Sequence, residues 1–207
     1  MLLDRTLKRW EIALMLGILC ALLGGAWLGE GQAELADRVI RFHVIANSDS
    51  ETDQALKLQV RDAVLAETER FYPEGADLET ARAALQAHLG ELAQVGQQVV
   101  DDAGYDYPVT AALEKVWFPT KEYDGFALPA GEYTALRIVI GEGAGQNWWC
   151  VAFPPLCLGA ASDTVDEATA AGYFSEDQAA LITGEDQGYV LKFKSMELLG
   201  ELKHLFS

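Results

Sequence analysis

Hydrophobic residues along the chain follow a strand-like pattern first, then a helical pattern, and a strand-like pattern again after Gly104. Residues 38–46 are rich in β-branched and aromatic side chains, which predicts a strand. Ser48 and Ser50 each precede an acidic residue by three positions, as in a capping box, so we expect a helix that begins here and runs to about Phe71. A second helix is predicted over residues 78–101, where apolar residues recur at helical spacing.

The second half of the chain predicts several strands. They are expected over residues 107–118, 133–140 and 148–153, followed by a polar helix over 163–180, a last strand over 187–194 and a closing helix over 195–205. This order of elements predicts an α+β fold, in which one domain packs a mixed β-sheet against two long helices.

The N-terminus carries a separate hydrophobic segment. Arg5, Lys8 and Arg9 precede residues 12–29, which contain no charged residue. A basic flank followed by an apolar run is typical of a signal peptide or a short membrane anchor, and the flank is expected to stay in the cytosol. We therefore expect residues 1–29 to direct export of a domain formed by residues 38–207. The alternative is a buried helix of a soluble core.

The charge of the chain narrows its possible partners. Its 32 acidic residues outnumber its 15 lysines and arginines, for a net charge of −17. Nucleic-acid phosphates repel such a surface, and so do anionic lipids. Membrane contact is therefore expected only through the N-terminal segment, if that segment is not cleaved. The excess charge either keeps the domain soluble or steers it towards a basic patch on a protein partner.

Residues 141–157 form an unusual segment with three glycines, two tryptophans and two cysteines. Neighbouring strand residues face opposite sides, so one of Trp148 and Trp149 is expected to be exposed as a binding anchor; alternatively, both belong to the core and edge of a strand.

In an exported domain, Cys150 and Cys157 form a disulfide across the Phe-Pro-Pro turn or remain two unpaired buried cysteines. Their spacing matches no standard zinc site, and we expect no metal and no cofactor.

His43 lies in the predicted strand over residues 38–46, close to the polar turn that follows it. It could form an acid–base pair with Asp49 or Glu51, or a thiol dyad with Cys150. The simpler interpretation is a packed strand histidine with one hydrogen bond. No G-x-S-x-G, H-E-x-x-H or Walker motif is present in the sequence.

Several segments resemble the stage II sporulation protein R family. They include VIRFHVIANSDS (39–50), LPAGEYTALR (128–137) and NWWCV (147–151), together with residues 53–58, 60–64, 118–121, 153–157, 191–194 and 197–199. Residues 158–186 carry little of the resemblance.

The resemblance implies an exported signalling protein of endospore-forming bacteria, made in the forespore and acting in the space between the two membranes. There it would activate a membrane-embedded aspartic protease of the mother cell, which cleaves the precursor of sigma factor E. A role as an activating signal predicts no catalytic residues in the chain itself. The candidate partner surface combines the turn at Asn47, Ser48 and Asp49 with Trp148, Trp149 and Phe153. The rival function is an exported hydrolase that uses Cys150 or His43.

Overall fold

A computed structural model of the protein describes residues 12–17, 34–73, 75–123, 126–157 and 161–183. The chain divides into two units, Met1–Leu35 and Ala36–Ser207. In the first unit, residues 12–17 are helical. No helix within the described ranges is long and apolar enough to cross a membrane. Most of the predicted signal or anchor segment lies outside those ranges, so it stays a prediction.

The second unit mixes helices and strands, which confirms the predicted α+β class. Its elements in chain order are β1 (Ile40–Ile45), α1 (Glu51–Phe71), α2 (Leu78–Ala87), α3 (Leu89–Asp102), β2 (Val109–Phe118), β3 (Lys121–Glu122), β4 (Ala127–Leu128), β5 (Gly131–Ile140), β6 (Asn147–Phe153), α4 (Ala161–Ala170) and α5 (Glu176–Thr183).

Among the described residues, the main sheet has four strands in the order β2-β5-β1-β6. Strand β1 pairs in parallel with β5 and antiparallel with β6, while β2 pairs antiparallel with β5. The sheet is therefore mixed, as predicted. A parallel pair needs a long crossover connection, and the chain between β1 and β5 supplies one through its helices. Strand β6 lies at one edge of this sheet and β2 at the other. Strands β3 and β4 form a separate two-stranded ribbon.

The core lies between the helices and one face of the main sheet. Alternate strand residues point to that face, because successive side chains in a strand face opposite sides. The buried cluster includes Phe42 and Val44 of β1, Leu136 and Ile138 of β5, and Val60, Val64 and Leu92 of the helices. Burial of this apolar surface is what holds α1 and α3 on the sheet.

The helical region before β2 differs from the prediction in one respect. The single helix expected over residues 78–101 is broken at His88, whose φ of −108° and ψ of 13° are not helical. The His88 ring stacks on Phe71 at the end of α1, with ring centroids 4.0 Å apart. This tertiary contact accompanies the break, and a pattern of apolar spacing along one helix cannot reveal it.

The predicted polar helix over residues 163–180 is two helices, α4 and α5. Helix α4 is followed by Gly172 at φ +82°, in the left-handed conformation that commonly ends helices. The predicted last strand over 187–194 and the closing helix over 195–205 lie outside the described residues.

Candidate functional site

The turn between β1 and α1 is held by a buried carboxylate. Asp53, in the first turn of α1, is 4% exposed and accepts hydrogen bonds from Asn47 Nδ2 at 2.9 Å and Ser48 Oγ at 2.6 Å. These two bonds, that from Ser48 most strongly, lower the pKa of the Asp53 carboxyl. Ser50 caps α1 through its hydroxyl, which accepts the Asp53 amide at 3.1 Å. The side chains of Asn47 and Ser48 are thus already engaged within the fold.

The glycine-rich loop before β6 packs against the same turn. The amides of Glu142 and Gln146 donate to the side chains of Asn47, at 3.0 Å, and of Asp49, at 2.7 Å. The Gly145 amide donates to the Ala46 carbonyl at 3.0 Å. These bonds join a loop and a turn that are almost one hundred residues apart in the sequence.

Lys57 supports this loop from α1. It is 5% exposed, and its Nζ donates to the Gln146 carbonyl at 2.9 Å. Burial lowers the pKa of the Lys57 ammonium. The spacing of the glycines reflects close packing, since a Cβ on Gly145 would lie 2.2 Å from the Ser48 carbonyl oxygen. The glycines that the sequence shows as unusual therefore have a structural role.

Trp148 and Trp149 face opposite sides of the sheet, as predicted. Trp148 is 37% exposed, and the Arg61 guanidinium of α1 lies 4.3 Å from the centroid of its ring. Trp149 is half-buried on the face away from the helices, with Lys121 Nζ 4.0 Å from its ring centroid. The two rings therefore cannot belong to one contiguous contact surface.

Phe153, the remaining aromatic candidate, lies in the core. It is 2% exposed and packs edge-on against Tyr72 and Tyr173, with centroids 5.3 and 5.2 Å away. Its burial does not support a place on an exposed partner surface. Of the six candidate residues, Asp49 and Trp148 are exposed in the structure, together with part of Trp149, Asn47 and Ser48.

Cys150 and Cys157 form a disulfide, with Cα atoms 5.7 Å apart. This confirms the bridged alternative. Cys150 is 5% exposed, and its carbonyl accepts a hydrogen bond from Arg41 Nε at 3.0 Å. A bridged sulfur cannot serve as a thiolate nucleophile.

His43 is a packed strand residue. It is 7% exposed and its Nε2 hydrogen-bonds to Asn147 Oδ1 at 2.8 Å. Burial is the main cause that lowers the pKa of its imidazole, and the hydrogen bond with Asn147 opposes that shift. Among the described residues, no partner bonds to Nδ1. Among the described residues, the one hydrogen-bond partner of this ring is the side-chain amide of Asn147. The acid–base pair with Asp49 or Glu51 therefore does not form.

A buried arginine on the same face was not among the sequence-based candidates. Arg41 is fully buried, and its guanidinium carbon lies 4.4 Å from the Phe118 centroid and 5.0 Å from that of Tyr133. Its Nη2 donates to the Tyr123 hydroxyl at 2.7 Å, which ties the chain next to β3 to the main sheet. Burial raises the pKa of Tyr133 to about 12, against the opposing charge of Arg41. The one signal in the sequence for this face of the sheet is that Arg41 and His43 alternate with apolar residues along β1.

Within the described chain, no group of three or more His, Cys, Asp or Glu residues is placed to hold a metal ion. The expectation of no metal and no cofactor stays a prediction.

The comparisons agree with each other. The family model described as stage II sporulation protein R matches residues 36–163. A curated relative, stage II sporulation protein R of Bacillus subtilis (strain 168), is 38% identical over 148 residues, which are 66% of this chain and 66% of the relative. No solved structure gives a significant match.

Proposed function

This chain belongs to the stage II sporulation protein R family, and from that membership we propose that it is an exported signal of sporulation. In this proposal it acts in the space between the forespore and mother-cell membranes. It activates a membrane-embedded aspartic protease there, and the protease then processes the sigma-E precursor. The observation that carries the proposal is the family match across residues 36–163, which include the whole main sheet and helices α1 to α3.

Activation of a partner requires binding and no chemistry in this chain. A ligand shifts a conformational equilibrium by binding one state more tightly than the other, so the protein would favour the active state of the protease. The strongly negative chain supports electrostatic steering towards a basic partner surface. The disulfide supports an extracytoplasmic location, since disulfides persist in oxidising compartments.

The rival function, an exported hydrolase, is less well supported. Cys150 has no free thiol, because it is bridged to Cys157. His43 bonds to the side-chain amide of Asn147 and not to a carboxylate. Neither residue has the neighbour that nucleophilic or acid–base catalysis would need.

The test is reconstitution in cells that do not sporulate. The full chain is produced together with the membrane protease and the sigma-E precursor, and precursor cleavage is followed by immunoblot. We expect cleavage only when the chain is present. A matched control that lacks residues 1–29 should remain in the cytosol and give no cleavage. Cleavage that is the same with and without the full chain would contradict the proposal.

A further inference from the structure

Two large apolar side chains are exposed on the helix side of the sheet. Among the described residues of the second unit, Leu58 and Trp148 are the exposed large hydrophobics, each 37% exposed. Arg61 lies one helical turn after Leu58, on the same side of α1, and stacks on the Trp148 ring. Leu58, Arg61 and Trp148 are here called the Trp148 patch.

Trp148 is held in position before any partner arrives. It pairs with Val44 in the β1–β6 ladder, and its ring is braced by the Arg61 guanidinium at 4.3 Å. Two residues earlier, Gln146 is fixed by Asp49 and Lys57. A side chain that is already ordered loses little entropy on binding, and Trp and Arg are the residue types that most often dominate interface energy.

One acidic side chain contacts the patch, and two more lie at the turn that holds the loop before it. Asp62 bonds to Arg61 at 2.7 Å and neutralises its charge, with 56% of the Asp62 side chain exposed. Asp49 and Glu51, at the turn that holds the loop before Trp148, are also exposed. The partner segment that fits an apolar centre with an acidic rim carries an apolar side chain flanked by lysine or arginine.

We propose that the Trp148 patch is the surface by which this chain docks on a basic segment of the extracytoplasmic part of the protease that it activates. The inference rests on the proposed function and specifies its contact surface. It replaces the broader candidate surface, because Trp149 lies on the other face, Phe153 is buried, and Asn47 and Ser48 are bonded within the fold.

The experiment compares two patch variants with two matched controls in the cleavage assay, all as full chains. Trp148→Ala removes the apolar centre, and Asp62→Lys reverses one rim charge. Trp117→Ala is the control for the tryptophan, since Trp117 lies on β2, the opposite edge strand. Glu132→Lys is the control for the charge, since Glu132 is exposed near the far end of β5. Circular dichroism melting of each purified variant checks folding.

Trp148→Ala is expected to weaken association with the membrane protease about 30-fold, the effect of a central interface tryptophan. Cleavage should fall accordingly, while Trp117→Ala keeps activity per folded molecule. Asp62→Lys should slow association relative to Glu132→Lys, and the difference should vanish at high salt because salt screens rim charges.

The outcomes separate this inference from the proposed function. If the wild-type chain triggers cleavage and both patch variants match their controls, the docking surface is elsewhere and only this inference fails. If Trp148→Ala unfolds, Asp62→Lys decides the outcome, since it changes an exposed residue. If the wild-type chain itself triggers no cleavage, the proposed function fails. The proposal that the protease binds the Trp148 patch then fails with it.

Discussion

Single glycines decide how the loop before β6 meets the turn after β1. At Gly141 and Gly143 the backbone has φ of +58° and +61°, a conformation that other residues rarely adopt. At Gly145 the constraint is space, because the nearest atoms to an added Cβ belong to the Ser48 backbone. The Ser48 backbone cannot move away from an added Cβ by changing rotamer, as a flexible side chain could.

Gly145→Ala is therefore expected to lower the free energy of unfolding by about 1–3 kcal/mol, as overpacking does. Gly90→Ala is the control, since nothing lies within 4 Å of its added Cβ. Alanine at this helical site should raise the free energy of unfolding by about 0.5–1 kcal/mol. Urea denaturation measures both. Equal free energies of unfolding for the two variants would show that the loop before β6 does not pack closely against the turn after β1.

His43 makes stability depend on pH. Its pKa is lowered in the folded state by burial, from the ordinary value of 6.5, so the unfolded chain binds a proton more readily. As pH falls below about 6.5, protonation favours the unfolded state and the free energy of unfolding decreases. His43→Gln should remove this part of the decrease between pH 7 and pH 5.5.

The edge strand β6 is the element that carries most of the site. Its helix-side residues include Trp148 and Cys150, and Trp149 points to the other face. The disulfide anchors its C-terminal end to the segment that follows. Among the described strands β6 pairs only with β1, and the hydroxyls of Tyr72 and Tyr123 donate to the carbonyls of Ala152 and Trp149.

Replacing Cys150 and Cys157 together by alanine should lower the free energy of unfolding by about 2–3 kcal/mol, the loop-entropy value for so short a loop. Denaturant melts in the absence of reductant measure this. In the wild-type chain, peptide mass spectrometry after alkylation under denaturing conditions should find both cysteines unmodified by the alkylating reagent. Alkylation at both positions in the exported protein would rule out the bridge.

At the scale of the whole molecule, the basic flank and the apolar run at the N-terminus predict export. A reporter enzyme that is active only outside the cytosol, fused after residue 207, should be active in the full chain. The same fusion without residues 1–29 should be inactive. A cytosol-only reporter that is active at this position of the full chain would contradict the orientation.

Local sequence patterns determined the elements whose causes are local. The serine cap and apolar spacing predicted α1 from Glu51 to Phe71, and β-branched runs predicted β1, β5 and β6 to within about two residues. These elements follow from hydrogen bonds and side-chain periodicity that reach only a few positions along the chain. The resemblance of short motifs identified the family for the same reason, because each motif is contiguous.

Only the tertiary structure decided which residues meet. The break at His88 accompanies a contact with Phe71, the burial of Arg41 requires aromatic rings from β2 and β5, and the glycine loop packs on a turn almost one hundred residues earlier. The sequence left the two cysteines bridged or unpaired, and their placement in space resolved this. Contacts between distant residues depend on how whole faces pack together, which no single stretch of the chain encodes.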